Sequence, residues 1–171
     1  MTASSMTVDR LVDHLEKLSA ETERGRLAKL RRALSTDRLF EALPDVLPFV
    51  ARNRRAEDDG LLVAGLFAHS PESGRLTLPQ ALSIVARKSD SVELRFLALL
   101  SASREDLGPH LRHAVALIAS EGFAIDWRDL HEAIRFWDHE SGRARRKWAR
   151  DYWSADAGTS SEDDREKGLS R

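Results

Sequence analysis

No stretch of this 171-residue chain alternates polar and apolar residues over the length of a strand. Nearly every periodic segment repeats at three and four residues, the spacing that lines one face of a helix. Val8, Leu11, Val12, Leu15 and Leu18 step this way behind Thr7, a candidate N-cap. Leu27, Leu30 and Leu34 form the seam of a second helix over residues 22–34. Pro44 and Pro48 limit residues 39–52 to two short turns or helices. Asp58 and Asp59 precede the all-apolar run 61–68, which reads as a buried helix, and Pro71, Gly74 and Pro79 make 69–78 the main internal loop.

The second half is more clearly punctuated. Thr77 followed by Pro79 opens a helix to about residue 87, and Asp90-Ser-Val-Glu93 has the form of a capping box. Pro109 starts a helix that Gly122 ends, and Asp126 caps one with Trp127, Leu130, Ile134 and Trp137 in a single stripe. The expectation is an all-α fold of about eight or nine helices in two small packed bundles. An N-terminal lobe would span residues 7–88 and a C-terminal lobe 89–153. A flexible stretch 1–6 would precede them, and a disordered acidic tail, 154–171, would follow.

The last helix, over residues 141–153, has two opposed stripes. Ala144, Trp148 and Tyr152 share one face at i, i+4, i+8, and Arg143, Arg146 and Arg150 lie nearly opposite at i, i+3, i+7. Packing of the aromatic face leaves the arginines outward. Seven residues of helix rise about 10 Å, roughly three steps along a duplex strand, so the stripe is pitched to follow a phosphate backbone. A merely solvated face has the same spacing.

Composition sharpens this only when divided. The chain has 27 Lys and Arg against 28 Asp and Glu, net −1, which excludes a uniformly basic binder. The tail from Ser154 holds five acids and three bases, leaving 24 bases and 23 acids before it. Positive charge is therefore clustered rather than abundant. Residues 24–38 carry six bases (Arg24, Arg26, Lys29, Arg31, Arg32, Arg38) and one acid, Asp37. Arg26, Lys29 and Arg32 recur every three residues away from the leucine seam, while Arg24 and Arg31 lie nearer it, placed for partly buried ion pairs. Arg112 and the Arg87–Lys88 pair are weaker candidates. Trp127, Trp137 and Trp148 fall on apolar stripes and read as core, which leaves Trp153 as the one tryptophan free to stack on a base. With no base-reading module, the contacts expected are to phosphates, insensitive to sequence.

Enzyme signatures are sparse. There are no cysteines, which excludes disulfides, thiolate zinc sites and cysteine nucleophiles. Asp106, His110 and His113 have helical spacing but flank a core stripe, and read as a surface cluster rather than a metal site; no metal and no cofactor are expected. Glu93 and Arg95 do not face each other on a helix and are expected to pair across the bundle. There is no apolar signal region and no run near the roughly 20 residues of a membrane span, so a soluble, cytoplasmic protein is expected.

Four segments in order resemble the CasB family, the small subunit of the type I-E CRISPR surveillance complex Cascade. They are ERGRLAKLRRAL (23–34), LLVAGLFAHSP (61–71), SVELRFLALLSASREDLGPHLRHAVALIASEGFAIDWRDL (91–130) and RRKWARDYW (145–153). The family's tryptophan-rich region ahead of LLVAGLFA is replaced here by ARNRRAEDDG (51–60). The resemblance implies an all-α, non-enzymatic subunit present in two copies. Its partners would be crRNA, target DNA, the crRNA-backbone and large subunits of Cascade, and a second copy of itself, with no membrane. Such a subunit stabilises the R-loop and guides the displaced strand, tipping a near-balanced strand exchange. The candidate nucleic-acid-binding residues are Arg26, Lys29, Arg31, Arg32, Arg112, Arg143, Arg146 and Arg150. The competing reading is an independent helical DNA-binding regulatory protein, whose helix-turn-helix would have to lie at residues 119–126.

Overall fold

The computed structural model describes residues 3–34 and 36–154, so the acidic tail beyond Ser154 lies outside the described residues. In α1 (Ala3–Ala20), Leu11, Val12, Leu15 and Leu18 are buried, as their spacing requires. The helix begins at Ala3. Residues 3–6 belong to it, and Thr7 sits inside α1 instead of at its cap. After a turn through Thr22, at φ 59°, α2 (Arg24–Arg32) lays Leu27 and Leu30 against α4. A 3-10 turn (Thr36–Glu41), α3 (Leu43–Val46) and a second 3-10 turn (Leu47–Phe49) follow, with both prolines in first-turn positions.

The apolar run 61–68 is the buried end of a longer helix, α4 (Arg54–His69). Its cap is Asn53, which accepts from the Ala56 N–H at 2.9 Å; Asp58 and Asp59 lie inside the helix rather than ahead of it. Asp59 is buried and paired with Arg104, which also donates to the Ile134 carbonyl at 2.9 Å. A Cβ at Gly65 would lie 2.4 Å from the Leu34 side chain, so glycine sets how closely the chain after α2 approaches α4.

One element departs from the all-helical pattern. Within the stretch read as a loop, β1 (Ser73–Leu76) makes parallel bridges to Ile125 at both of its ends. Trp127 Nε1 donates to Glu72 O at 2.8 Å and the Asp126 N–H to Leu76 O at 2.8 Å. A Cβ at Gly74 would lie 2.2 Å from Ala124 O.

Thr77 and Gln80 form a reciprocal capping box at the start of α5 (Leu78–Ala86). The box expected at Asp90 does not form. Asp90 has helical angles, φ −60° and ψ −23°, and its carboxylate makes no cap bond to α6 (Ser91–Ser101); capping requires an extended backbone there. Next come α7 (Leu107–Ser120), α8 (Trp127–Arg135), capped by Asp126, and α9 (Arg143–Ser154). Nine α-helices are thus present among the described residues. Helix α5 packs on α6, α7 and α9, while α8 packs on α1 and α4 as well as α9. One apolar core therefore runs continuously from Leu11 to Tyr152 across both groups of helices.

Candidate nucleic-acid interface

Helix α9 sorts its basic residues by what each touches. Ala144, Trp148 and Tyr152 are buried, Tyr152 stacking on Phe96 at 4.2 Å and Trp148 meeting Trp137 edge-on at 5.2 Å. Arg143, Arg146 and Arg150 are exposed on the opposite side. The Arg143 guanidinium lies 3.9 Å from the Phe136 ring centroid, a cation–π contact that steadies it without neutralising it.

The other two bases of α9 are occupied. Arg145 donates to Trp137 O, Leu100 O and Ala102 O at 3.1, 3.2 and 3.2 Å, closing the ends of α6 and of the α8 stripe. Lys147 bridges Asp129 and Asp151, both at 2.7 Å, and Thr77 Oγ1 adds a bond to Asp151 at 3.1 Å. Burial raises Asp129 above the usual carboxylate range although Lys147 opposes it, while the two carboxylates raise Lys147 against the effect of its own burial.

The α2 cluster is different. Arg26 pairs with Asp45, which is only 3% exposed and also accepts from His14 Nε2 at 3.1 Å. Burial alone would raise Asp45; hydrogen bonds from Arg26 and His14 hold it below the usual range. Arg31 donates twice to Ala68 O, at 3.1 and 2.8 Å, capping the end of α4 with a carbonyl contact rather than an ion pair. Arg32 pairs with Glu41 at 3.1 Å. Arg24 and Lys29 are exposed. Of the stripe Arg26, Lys29 and Arg32, then, only Lys29 lacks an acidic partner among the described residues.

Arg112 is exposed on α7. Burial, then the positive fields of Arg31 and Arg112, push His69 below the usual imidazole range. This grouping draws on three separate elements, and no local spacing signals it. Arg95 and Glu93 are both exposed on α6, and among the described residues neither makes the expected cross-bundle pairing. His110 and His113 instead line an apolar groove of about 530 Å³ between α6 and α7. No group of three or more potential metal ligands occurs among the described residues. No helix among them is long and apolar enough to cross a membrane.

The helix-turn-helix reading fails on packing. Residues 119–126 are tied to β1 through Ile125, and Trp127, Leu130 and Ile134 of α8 are buried. Arg128 is held by Asp13 and Glu16 of α1, so α8 is not free to enter a groove.

Comparison with known proteins agrees with this architecture. A CRISPR-associated protein Cse2 of Thermus thermophilus is 36% identical over 168 residues, covering 93% of this chain and 95% of that protein. The crystal structure of CasB from Thermus thermophilus superposes with a TM-score of 0.76 at 31% identity, covering 86% of this chain and 97% of that one. A chain of a CRISPR RNA-guided surveillance complex superposes with a TM-score of 0.80 at 25% identity, covering 92% and 98%. The family profile for CRISPR-associated protein Cse2 matches residues 26–153, which takes in the α2, α7 and α9 clusters, and the chain belongs to that family.

Proposed function

We propose that this chain is a non-catalytic, nucleic-acid-binding subunit of a type I-E Cascade complex. In this role it contacts the phosphates of crRNA, target DNA and the displaced strand, and so stabilises the R-loop. The observation that carries the reading is the α9 face, where Arg143, Arg146 and Arg150 are exposed and lack acidic partners among the described residues. Lys29 and Arg112 supply secondary contacts. Arg26, Arg31 and Arg32 serve the fold first, since each is already engaged by the protein. Its partners are the crRNA-backbone and large subunits and a second copy of the chain, in the cytoplasm. Phosphate contacts of this kind are insensitive to base sequence and strongly salt-dependent.

The test is charge reversal of Arg143, Arg146 and Arg150 to glutamate in a reconstituted complex. Assembly is expected to be normal and the lifetime of the bound target shortened. Normal assembly with a wild-type lifetime would show the stripe to be only solvated.

A further inference from the structure

Helix α9 carries a charged face whose counter-charge is missing. Arg143, Arg146 and Arg150 are exposed, and among the described residues no carboxylate pairs with any of them. Asp151, the one acid of α9, and Asp129 of the facing α8 are both taken by Lys147. Ser154, where α9 ends, stands four residues beyond Arg150, which puts it on the same helix face as the stripe. The chain therefore leaves α9 on the arginine side. Its next ten positions, residues 155–164, hold four acids (Asp156, Glu162, Asp163 and Asp164) and no base. Reach is sufficient. Ser154 lies about 16 Å along the helix axis from Arg143 at 1.5 Å per residue. The eight residues from Ser154 to Glu162 can span up to about 26 Å. The consecutive acids Glu162, Asp163 and Asp164 can thus meet every arginine of the stripe.

We propose that residues 155–164 fold back along α9 and lay Glu162, Asp163 and Asp164 against Arg143, Arg146 and Arg150. The segment acts as an internal polyanion that occupies the phosphate-binding face until a nucleic acid displaces it. Tethering holds its carboxylates at an effective concentration in the millimolar range. Guanidinium and carboxylate are matched in shape as well as charge, since two parallel N–H···O bonds join them. Each exposed pair is nevertheless weak and screened by salt, so the cover is displaceable. A strand that engages the stripe through few phosphates is turned away. One held in place by further contacts removes the segment and gains the full face. The device sharpens selectivity for positioned strands without reading sequence.

The inference rests on the phosphate-binding reading of α9, and the experiment separates the two. The chain has no cysteine, so Ser161→Cys provides a single site for a nitroxide label beside the three acids. Without nucleic acid, the labelled full chain should show broadened amide signals for Arg143 and Arg146 at low salt. Neutralising the acids (Glu162→Gln, Asp163→Asn, Asp164→Asn) should reduce that broadening, because tethering alone is the same in both chains. Binding of a short mixed-sequence single strand is then measured on unlabelled chains. Neutralisation should tighten it roughly fivefold at low salt, the worth of three exposed pairs, and the gain should fade toward about 1 M salt. With Arg143, Arg146 and Arg150 all changed to glutamine, the same neutralisation should alter affinity by less than about twofold. Equal broadening with and without the acids overturns the proposal, as does an equal gain in the glutamine background. So does the lack of any gain where the stripe itself binds the strand. If the glutamine substitutions leave binding at its wild-type level, the phosphate reading fails, and the label still decides whether the segment docks.

Discussion

Arg145 and Arg146 are neighbours on one helix, and they should respond oppositely to alanine. Arg145→Ala removes three hydrogen bonds to carbonyl oxygens. Ala102 O keeps its bond from Trp137 Nε1 at 3.0 Å, which leaves Trp137 O and Leu100 O without the guanidinium. Each loss costs about 1–2 kcal/mol, and the guanidinium 5.0 Å from the Trp137 ring centroid adds roughly 0.5–1 kcal/mol. The sum, about 3 kcal/mol, lowers the melting midpoint of a domain this size by about 6–12 °C. Arg146→Ala removes no hydrogen bond or ion pair of its side chain among the described residues and should shift stability by no more than about 0.5 kcal/mol. Nucleic-acid binding reverses the order. Arg146→Ala should lower the slope of log K against log salt by roughly 0.7 on single strands, and Arg145→Ala should leave it unchanged. Thermal unfolding and a salt titration on both variants supply the four numbers. A wild-type melt for Arg145→Ala, or an unchanged slope for Arg146→Ala, refutes the assignment.

Two further outcomes follow from the packing. Asp45 is depressed in the folded state, so the stability it contributes is present above the unfolded carboxylate value and is lost as pH falls through the lower folded value. Asp45→Asn should therefore destabilise the protein at neutral pH and flatten the acid limb of its stability curve, measured by denaturant unfolding between pH 7 and pH 2. Gly74→Ala drives a Cβ to 2.2 Å from Ala124 O, a backbone atom. It should cost about 1–3 kcal/mol in chemical unfolding, in the range of overpacking, because β1 must move away from Ile125.

What the sequence made legible and what it did not differ in range. The opposed faces of α9 are set by spacing within a dozen residues, and Trp148 and Tyr152 are buried where the period puts them. The distinction between Arg145 and Arg146 is set by carbonyls of residues 100, 102 and 137, and no local pattern contains those. The same holds for Arg26, whose acid lies 19 residues away, and for Arg31, whose carbonyl lies 37 residues away. β1 was hidden for another reason. Four residues bridged to a single isoleucine are too short to alternate, so the prolines and glycine around them dominate the reading. At Asp90 the capping motif is present but the backbone angles are wrong for it.

The small clamp around β1 bears on what binding must cost. Ser19 Oγ reaches Pro71 O from α1 at 2.7 Å, Trp127 reaches Glu72 O, and Ile125 bridges both ends of the strand. The crossing between the two groups of helices is therefore stitched to each of them. The ordering entropy that a hinged pair of lobes would lose on meeting a strand is already lost when this chain folds. In the proposed role, the spacing of Lys29, Arg112 and the α9 arginines is set by this one continuous core, and a bound strand would have to conform to it.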